Sequence, residues 1–528
     1  MSPISRRGLL GIAGAGLTAA AGIGIPFISG ISGASSTGKM LPSRAPIPPM
    51  FRRWLTIPPV LRPTRTDADT DYYDIAQTVT RASILPGPAT TLWTYNGSFP
   101  GPTIHSARGR TVKIQHTNNL PLPSVVHLHG GRTPPGSDGY PLDYVYPTDM
   151  NYYARHHSQR ETSSGHGGMM TGGDTREGRR VYTFPLDQRA ATLWYHDHRM
   201  DFTGPSVWRG LAGFHLHHDE EEAALRLPGG DRDLPLMITD RSFDADGSLL
   251  YPSLDPTLVN RPGVNGDYVA GVLGDVMLVN GTPWPTTTVR RATYRLRFLN
   301  ACNARRLDLR FDPPPAHGIV QIGTDGGLLA APVQLDDLEL APAQRFDVLV
   351  DFSGYAPGTR VTLVNDFGEA AMSQVMRLTV DSGFAEPFRV PDRLSAITPL
   401  RPADAVVTRK FDFRAGDVND HEGWLISQAP FSPDNIAARV RLGTTELWQL
   451  NADFHHPVHI HLSPFQVLAR GSEGPGRYDA GWKDTIDLRP GEQAKILIHF
   501  DGYPGKYVFH CHNLEHEDMA MMANFLAT

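Results

Sequence analysis

The sequence predicts an all-β protein built of Greek-key β-sandwiches. From Asp71 onward, short apolar runs alternate with turn signals, the pattern of half-buried strands. The 52 glycines and 45 prolines favour turns over long helices. No long segment carries the 3.6-residue apolar period of an amphipathic helix. At 528 residues the chain is too long for one core, and three domains are expected.

Residues 1–34 have the features of a targeting segment. Ser5-Arg6-Arg7-Gly8-Leu9-Leu10 sets twin arginines before an apolar run rich in Gly and Ala. Ser32-Gly33-Ala34 offers small residues for cleavage. The pattern resembles a twin-arginine export signal, which implies a periplasmic or extracellular protein. A membrane anchor is the competing reading, and the glycines and low hydrophobicity argue against it. No other segment is apolar enough to cross a bilayer, so no stable span is expected in the mature protein. Residues 35–66, with Pro58-Pro59-Val60-Leu61-Arg62-Pro63, predict an extended lead-in without regular structure. Three sandwiches are then expected over 67–225, 226–395 and 396–528, with one short helix at Asp219–Leu227. The glycine-rich loop 147–180 holds His156, His157, His166, Met169 and Met170, and predicts a mobile surface insertion.

A weak repeat supports three domains. Trp93-Thr94-Tyr95-Asn96-Gly97 leads to Thr111–Asn118, and Met277-Leu278-Val279-Asn280-Gly281 leads to Tyr294–Asn300. Thr444–Asn451 repeats the last part. Histidine motifs follow the first and third copies, whereas Ala301-Cys302-Asn303 follows the second. The middle domain therefore predicts a spacer, with any shared site between the first and last. The net charge of −6, with no basic domain, argues against a nucleic-acid partner. No oligomeric state is implied.

The chain has 22 histidines, for which about one His-x-His is expected by chance. Five occur: His127/His129, His196/His198, His215/His217, His459/His461 and His510/His512. His215/His217 has no companion ligand in view and is taken as the chance pair. On a strand, residues i and i+2 share a face, so each remaining pair can aim two imidazoles at one cavity. Eight imidazoles suit three copper ions, whereas zinc needs three or four ligands. Cys511 lies between His510 and His512, and so leaves the strand on the opposite face. With His456, His516 and a weak axial Met521 it makes the ligand set of a blue-copper centre. Met519 and Met522 are the other candidates for the axial place, and His455 is a neighbour of His456. Pro457 is expected to break the strand between His456 and His459. Cys302 is then a lone thiol, expected to be a buried small hydrophobe.

These motifs resemble those of the multicopper oxidases, in particular the spore-coat laccase, bilirubin oxidase and phenoxazinone synthase branch. The likeness rests on His127-Leu128-His129-Gly130-Gly131, Trp194-Tyr195-His196-Asp197-His198, His456–His461 and His510–Met521, with support from Gly481-Trp482-Lys483-Asp484-Thr485. It implies three cupredoxin-like domains and four copper ions. His127 and His459 would hold type 2 copper. His129, His196, His198, His461, His510 and His512 would hold the type 3 pair. A small-molecule reductant (a phenol, an aminophenol or a bilirubin-like tetrapyrrole) would be oxidised at type 1 copper and O₂ reduced to water. The resemblance also implies catalytic roles for His516, as an electron acceptor with a solvent-facing ring edge, and for the proton donors Asp138 and Glu517. Asp197 is expected to orient a ligand. A cuprous oxidase and a copper-free exported scaffold of the same fold are the alternatives.

Overall fold

The computed structural model describes residues 35–157, 172–384, 386, 388–418 and 421–528. The predicted signal at 1–34, and His166, Met169 and Met170, lie outside the described residues.

Each repeat found in the sequence becomes the same strand of a sandwich. Thr111–Asn119, Thr293–Asn300 and Thr444–Ala452 are these strands. Each runs parallel to the first long strand of its sheet, which is Thr70–Ala82, Asp233–Phe243 or Ala405–Val418. Each runs antiparallel to a third strand, Arg179–Phe184, Arg345–Asp351 or Gln493–Phe500. A parallel neighbour needs a crossover, which is the Greek-key signature here. The repeated Asn has a local purpose in two copies. Asn118 Oδ1 accepts from Leu120 N–H and Asn300 Oδ1 from Cys302 N–H, both two residues on, which turns the chain out of the strand.

A second sheet faces each of these. In the first sandwich its order is Gly101–Ala107, Ala212–His218, Ala191–Asp197, Val126–His129. In the third it is Ile436–Val440, Met522–Ala527, Gly505–Cys511, His456–Ile460, Thr485–Leu488. Apolar inner faces fill the space between sheets. In the third sandwich, Trp448 packs edge-on against Phe509 at 5.2 Å and beside Phe500 at 5.6 Å.

Helices are few and short. The helix expected at Asp219–Leu227 spans Glu220–Ala224, with Asp219 Oδ1 capping Glu222 N–H at 2.8 Å. Thr203–Trp208 packs against Leu514–Asp518 near the C-terminus. Two expectations need correction. The lead-in is not wholly irregular, because Lys39–Met40 pairs with Val272–Leu273 and Arg65–Thr66 pairs with Asp71–Tyr72. Pro457 does not break its strand; it lies inside His456–Ile460, and its carbonyl accepts from His512 N–H. Pairing with the cysteine strand begins one residue later, at Val458, so the missing proline N–H costs no ladder bond there.

The middle sandwich is more than a spacer. Arg345 is fully buried and touches both other sandwiches. Its Nε donates to Thr192 O at 3.0 Å, and its Nη1 and Nη2 grip the two oxygens of Asp484. Asp325 lies 3.6 Å away and also pairs with Lys483 at 3.1 Å. Removing one member of such a buried network strands the others. Arg345→Met is expected to lower unfolding stability by about 3–5 kcal/mol, measured by denaturant titration of the full chain.

Candidate metal centre

Two groups of metal-capable side chains lie back to back across the strand Gly505–Cys511. The register sets Val458 opposite Cys511 and His459 opposite His510. Alternation then sends Cys511 to one face, and His510 and His512 to the other.

On the cysteine face, Cys511 Sγ lies 3.5 Å from His456 Nδ1 and 3.6 Å from His516 Nδ1, and the two nitrogens are 3.1 Å apart. All three residues are buried. The outer nitrogens are committed elsewhere. His456 Nε2–H donates to Asp453 Oδ1 at 2.8 Å and His516 Nε2–H to Ala270 O at 3.1 Å. Both Nδ1 lone pairs are thereby left facing the sulfur. Metal bonds of about 2.0–2.3 Å fit this triangle. Burial drives the Cys511 thiol well above its ordinary range, so without a cation it stays protonated.

The expected solvent-facing edge of His516 is absent. The residue is fully buried, Trp424 stacks on it at 3.6 Å, and Ala270 caps its outer nitrogen. Met521 is fully buried, with its backbone bonded to Cys511 and His516. Met519 lies beside Gly263, and Met522 packs with Val125 and Tyr140.

On the other face, eight imidazoles converge. His127 pairs in register with His196, and His459 with His510. Three all-histidine trios could hold metal, His127/His129/His196, His127/His459/His461 and His198/His461/His510, and a fourth joins His129 and His459 to Asp484. His512 joins them with its ring 5.1 Å from His129 and 5.3 Å from His196. Outer acceptors orient the rings. Nδ1 of His127 donates to Asp138 O at 2.5 Å, of His196 to Asp197 O at 2.8 Å, and of His459 to Asp484 O at 2.8 Å. His461 Nδ1 donates to the Asp138 carboxylate at 2.7 Å. Nε2 of His127, His196 and His459 has no hydrogen-bond partner, although these atoms are buried. His129 is turned over: Nε2 faces Asp484 at 3.0 Å and Nδ1 is the unpartnered atom. Such an array of inward lone pairs fits metal ions and little else. Burial also holds His127, His129, His198, His459, His461 and His512 well below 6.5, which keeps them neutral ligands.

Acids flank the cage. Glu517 places Oε2 3.0 Å from His510 Nδ1 and Oε1 3.3 Å from His198 Nδ1, and accepts from Thr203 Oγ1 at 2.7 Å. Asp138 is pushed up to about 6 by burial. Asp197 turns its carboxylate to Val125 N–H and Arg199 N–H and orients His196 through its carbonyl. Local spacing does not mark Asp484 as a site residue; its place beside Trp482-Lys483 is the signal in the sequence. A cavity of about 250 Å³ lined by Arg132, Gln188 and Trp482 reaches His127, His459 and His461.

Several histidines outside the two groups have non-metal partners. Ser106 Oγ bridges His215 Nε2 at 2.7 Å and His217 Nδ1 at 2.8 Å, which accounts for the chance pair. His156 and His157 stack on Tyr152 and Tyr153. Cys302 is buried, with Sγ 3.8 Å from Ile238 O.

A buried cysteine with two imidazoles, joined by one strand to a histidine cage on β-sandwiches, defines a copper oxidoreductase. Models of the multicopper oxidase family match residues 77–166, 239–375 and 398–528. The chain is 35% identical to a laccase of Bacillus stratosphericus, over 89% of this chain and 97% of that one. It is 32% identical to a bilirubin oxidase of Albifimbria verrucaria, over 91% and 82%. A crystal structure of a laccase from Pediococcus acidilactici superposes with a TM-score of 0.77 at 32% identity, covering 92% of this chain and 95% of that one. The chain belongs to the multicopper oxidases.

Asp484 fixes His459 through its carbonyl and faces His129 through its carboxylate. Asp484→Asn is therefore expected to weaken copper binding on the cage face by roughly 10–100-fold, read as copper content after dialysis against a chelator, with the Cys511 centre's absorption retained.

Proposed function

We propose that this laccase-type multicopper oxidase takes electrons singly from small reductants and delivers them to O₂ at a separate cluster. The reductant class is phenols, aminophenols or bilirubin-like tetrapyrroles. His456, Cys511, His516 and Met521 would hold type 1 copper, and His127 and His459 type 2. His129, His196, His198, His461, His510 and His512 would hold the type 3 pair, giving four coppers. Bound copper supplies one-electron oxidation at the first centre and reduction of O₂ to water at the second. The observation that carries this reading is the strand Gly505–Cys511, whose consecutive residues serve opposite faces. Cys511 is covalently continuous with His510 and His512, so an electron at the thiolate has a short bonded route inward.

The chain's acids would manage protons. Glu517 sits between His198 and His510 with a hydroxyl at hand. Burial pushes the Asp138 carboxyl up to about 6, which suits a proton donor beside the cage. Met521 is supported as the axial residue because Met519 and Met522 are engaged elsewhere. A cuprous oxidase or a copper-free scaffold is less favoured: laccase and bilirubin oxidase relatives span most of the chain. The domain limits proposed are 67–225, 226–395 and 396–528. A twin-arginine signal at 1–34 would export the protein to the periplasm or beyond. Among the described residues no helix is long and apolar enough to cross a membrane.

Copper analysis of the purified protein should find four ions per chain, and Cys511→Ser should abolish the blue absorption band while sparing the cage coppers. Glu517→Gln should slow steady-state turnover by roughly 10²-fold or more at unchanged copper content. Full activity at matched copper would remove Glu517 from the proton path.

A further inference from the structure

We infer that Ser35–Met40 is a strap that positions the Cys511 centre, with Thr37 as its positioning residue; the inference rests on the type 1 assignment above. Thr37 is buried, and its polar groups reach both segments that carry the metal-capable triangle. His455 N–H, next to His456, donates to Thr37 Oγ1 at 3.1 Å. Asn513, between Cys511 and His516, donates through Nδ2 to Thr37 O at 3.3 Å. The same amide donates to Ala270 O at 3.0 Å, the carbonyl that caps His516. Asn513 N–H in turn points at Cys511 Sγ, 3.4 Å away. Thr37 thus joins the two ligand-bearing segments to each other and to the cap over His516.

The strap is anchored on both sides of Thr37. Arg306 donates through Nη1 to Ser35 O at 2.8 Å and through its backbone to Ser36 Oγ at 2.9 Å. Downstream, Lys39 N–H donates to Gly271 O at 2.9 Å, and Lys39 Nζ pairs with Asp267 at 2.8 Å. Contact is so close that both surfaces need glycine. A Cβ on Gly271, whose φ is +133°, would lie 2.6 Å from Thr37 O and 3.0 Å from Asn513 Nδ2. A Cβ on Gly38 would lie 2.9 Å from Gly271 O. The segment therefore fixes the hydrogen bonds around His455 and Asn513, outer contacts on which a metal site's affinity and electronics depend.

The test uses the full-length, copper-loaded protein and three variants. Thr37→Val keeps the volume but removes the acceptor used by His455 N–H. Thr37→Ser keeps the hydroxyl. Gly38→Val pushes the strap away from Gly271. Thr37→Val and Gly38→Val should lose type 1 copper to a chelator roughly tenfold faster, shift the type 1 EPR signal, and speed amide exchange over residues 453–457. Thr37→Ser should match the wild type. Wild-type copper retention, EPR and exchange in both disrupting variants would overturn the strap. That result is separable from failure of the type 1 reading, which would show as a blue band surviving in Cys511→Ser.

Discussion

Successive side chains of a β-strand leave on opposite faces, and the whole site depends on that alternation at His510-Cys511-His512. Were this segment helical, the three side chains would fan around one axis and neither face would be complete. The neighbouring strand His456–Ile460 obeys the same rule. His456 and His459 are three apart and point to opposite faces, and His461 follows His459. Two strands held in one register therefore distribute five imidazoles and a thiolate between two centres. A slip of one residue would send every ligand to the wrong side.

Alternation alone would leave a costly hole. Ten buried imidazoles without partners would be destabilising, and the structure pairs most outer nitrogens with an oxygen. The two centres use opposite nitrogens. At the cysteine centre Nε2 is committed and Nδ1 faces inward, whereas for most rings of the cage the reverse holds. The nearest acceptors are carbonyls of Asp138, Asp197 and Asp484, so the backbone beside an acid fixes the tautomer while the carboxylate remains available to another group. Asp484 shows the economy of this arrangement: its carbonyl orients His459, and its carboxylate joins His129 to Arg345.

The parts of the site that were legible in the sequence are local. His-x-His pairs, the flanked cysteine and the strand repeats ending in Asn118, Asn300 and Asn451 all follow from spacing within a few residues. The short helix at Glu220–Ala224 follows from its Asp219 cap. What was missed depends on distant contacts. Arg345 meets Asp484 from 139 residues away, and no local pattern marks an arginine destined for burial. The cap on His516 is a backbone carbonyl, which any residue at position 270 would supply, so side-chain identity carries no trace of it. Thr37 sits in a proline-rich stretch that has the composition of a tether. The composition rule fails at Pro457 because its missing N–H matters only where a partner needs it, and pairing with the cysteine strand starts at Val458.

The two faces also differ in what can reach them. A cavity of about 250 Å³ touches His127 and His459 of the cage. At the Cys511 centre, Trp424 and Ala270 cover His516, which has no exposed edge. A bulky reductant would then give its electron across that cap without touching the imidazole, while O₂ and protons would use the separate opening. On the proposed assignment, covalent bonds from Cys511 to its two flanking histidines are the one connection between the faces that needs no diffusing molecule. On that assignment, one closed and one open face would keep the reductant and O₂ at separate sites. The strand that divides the ligands also supplies the path that reunites their chemistry.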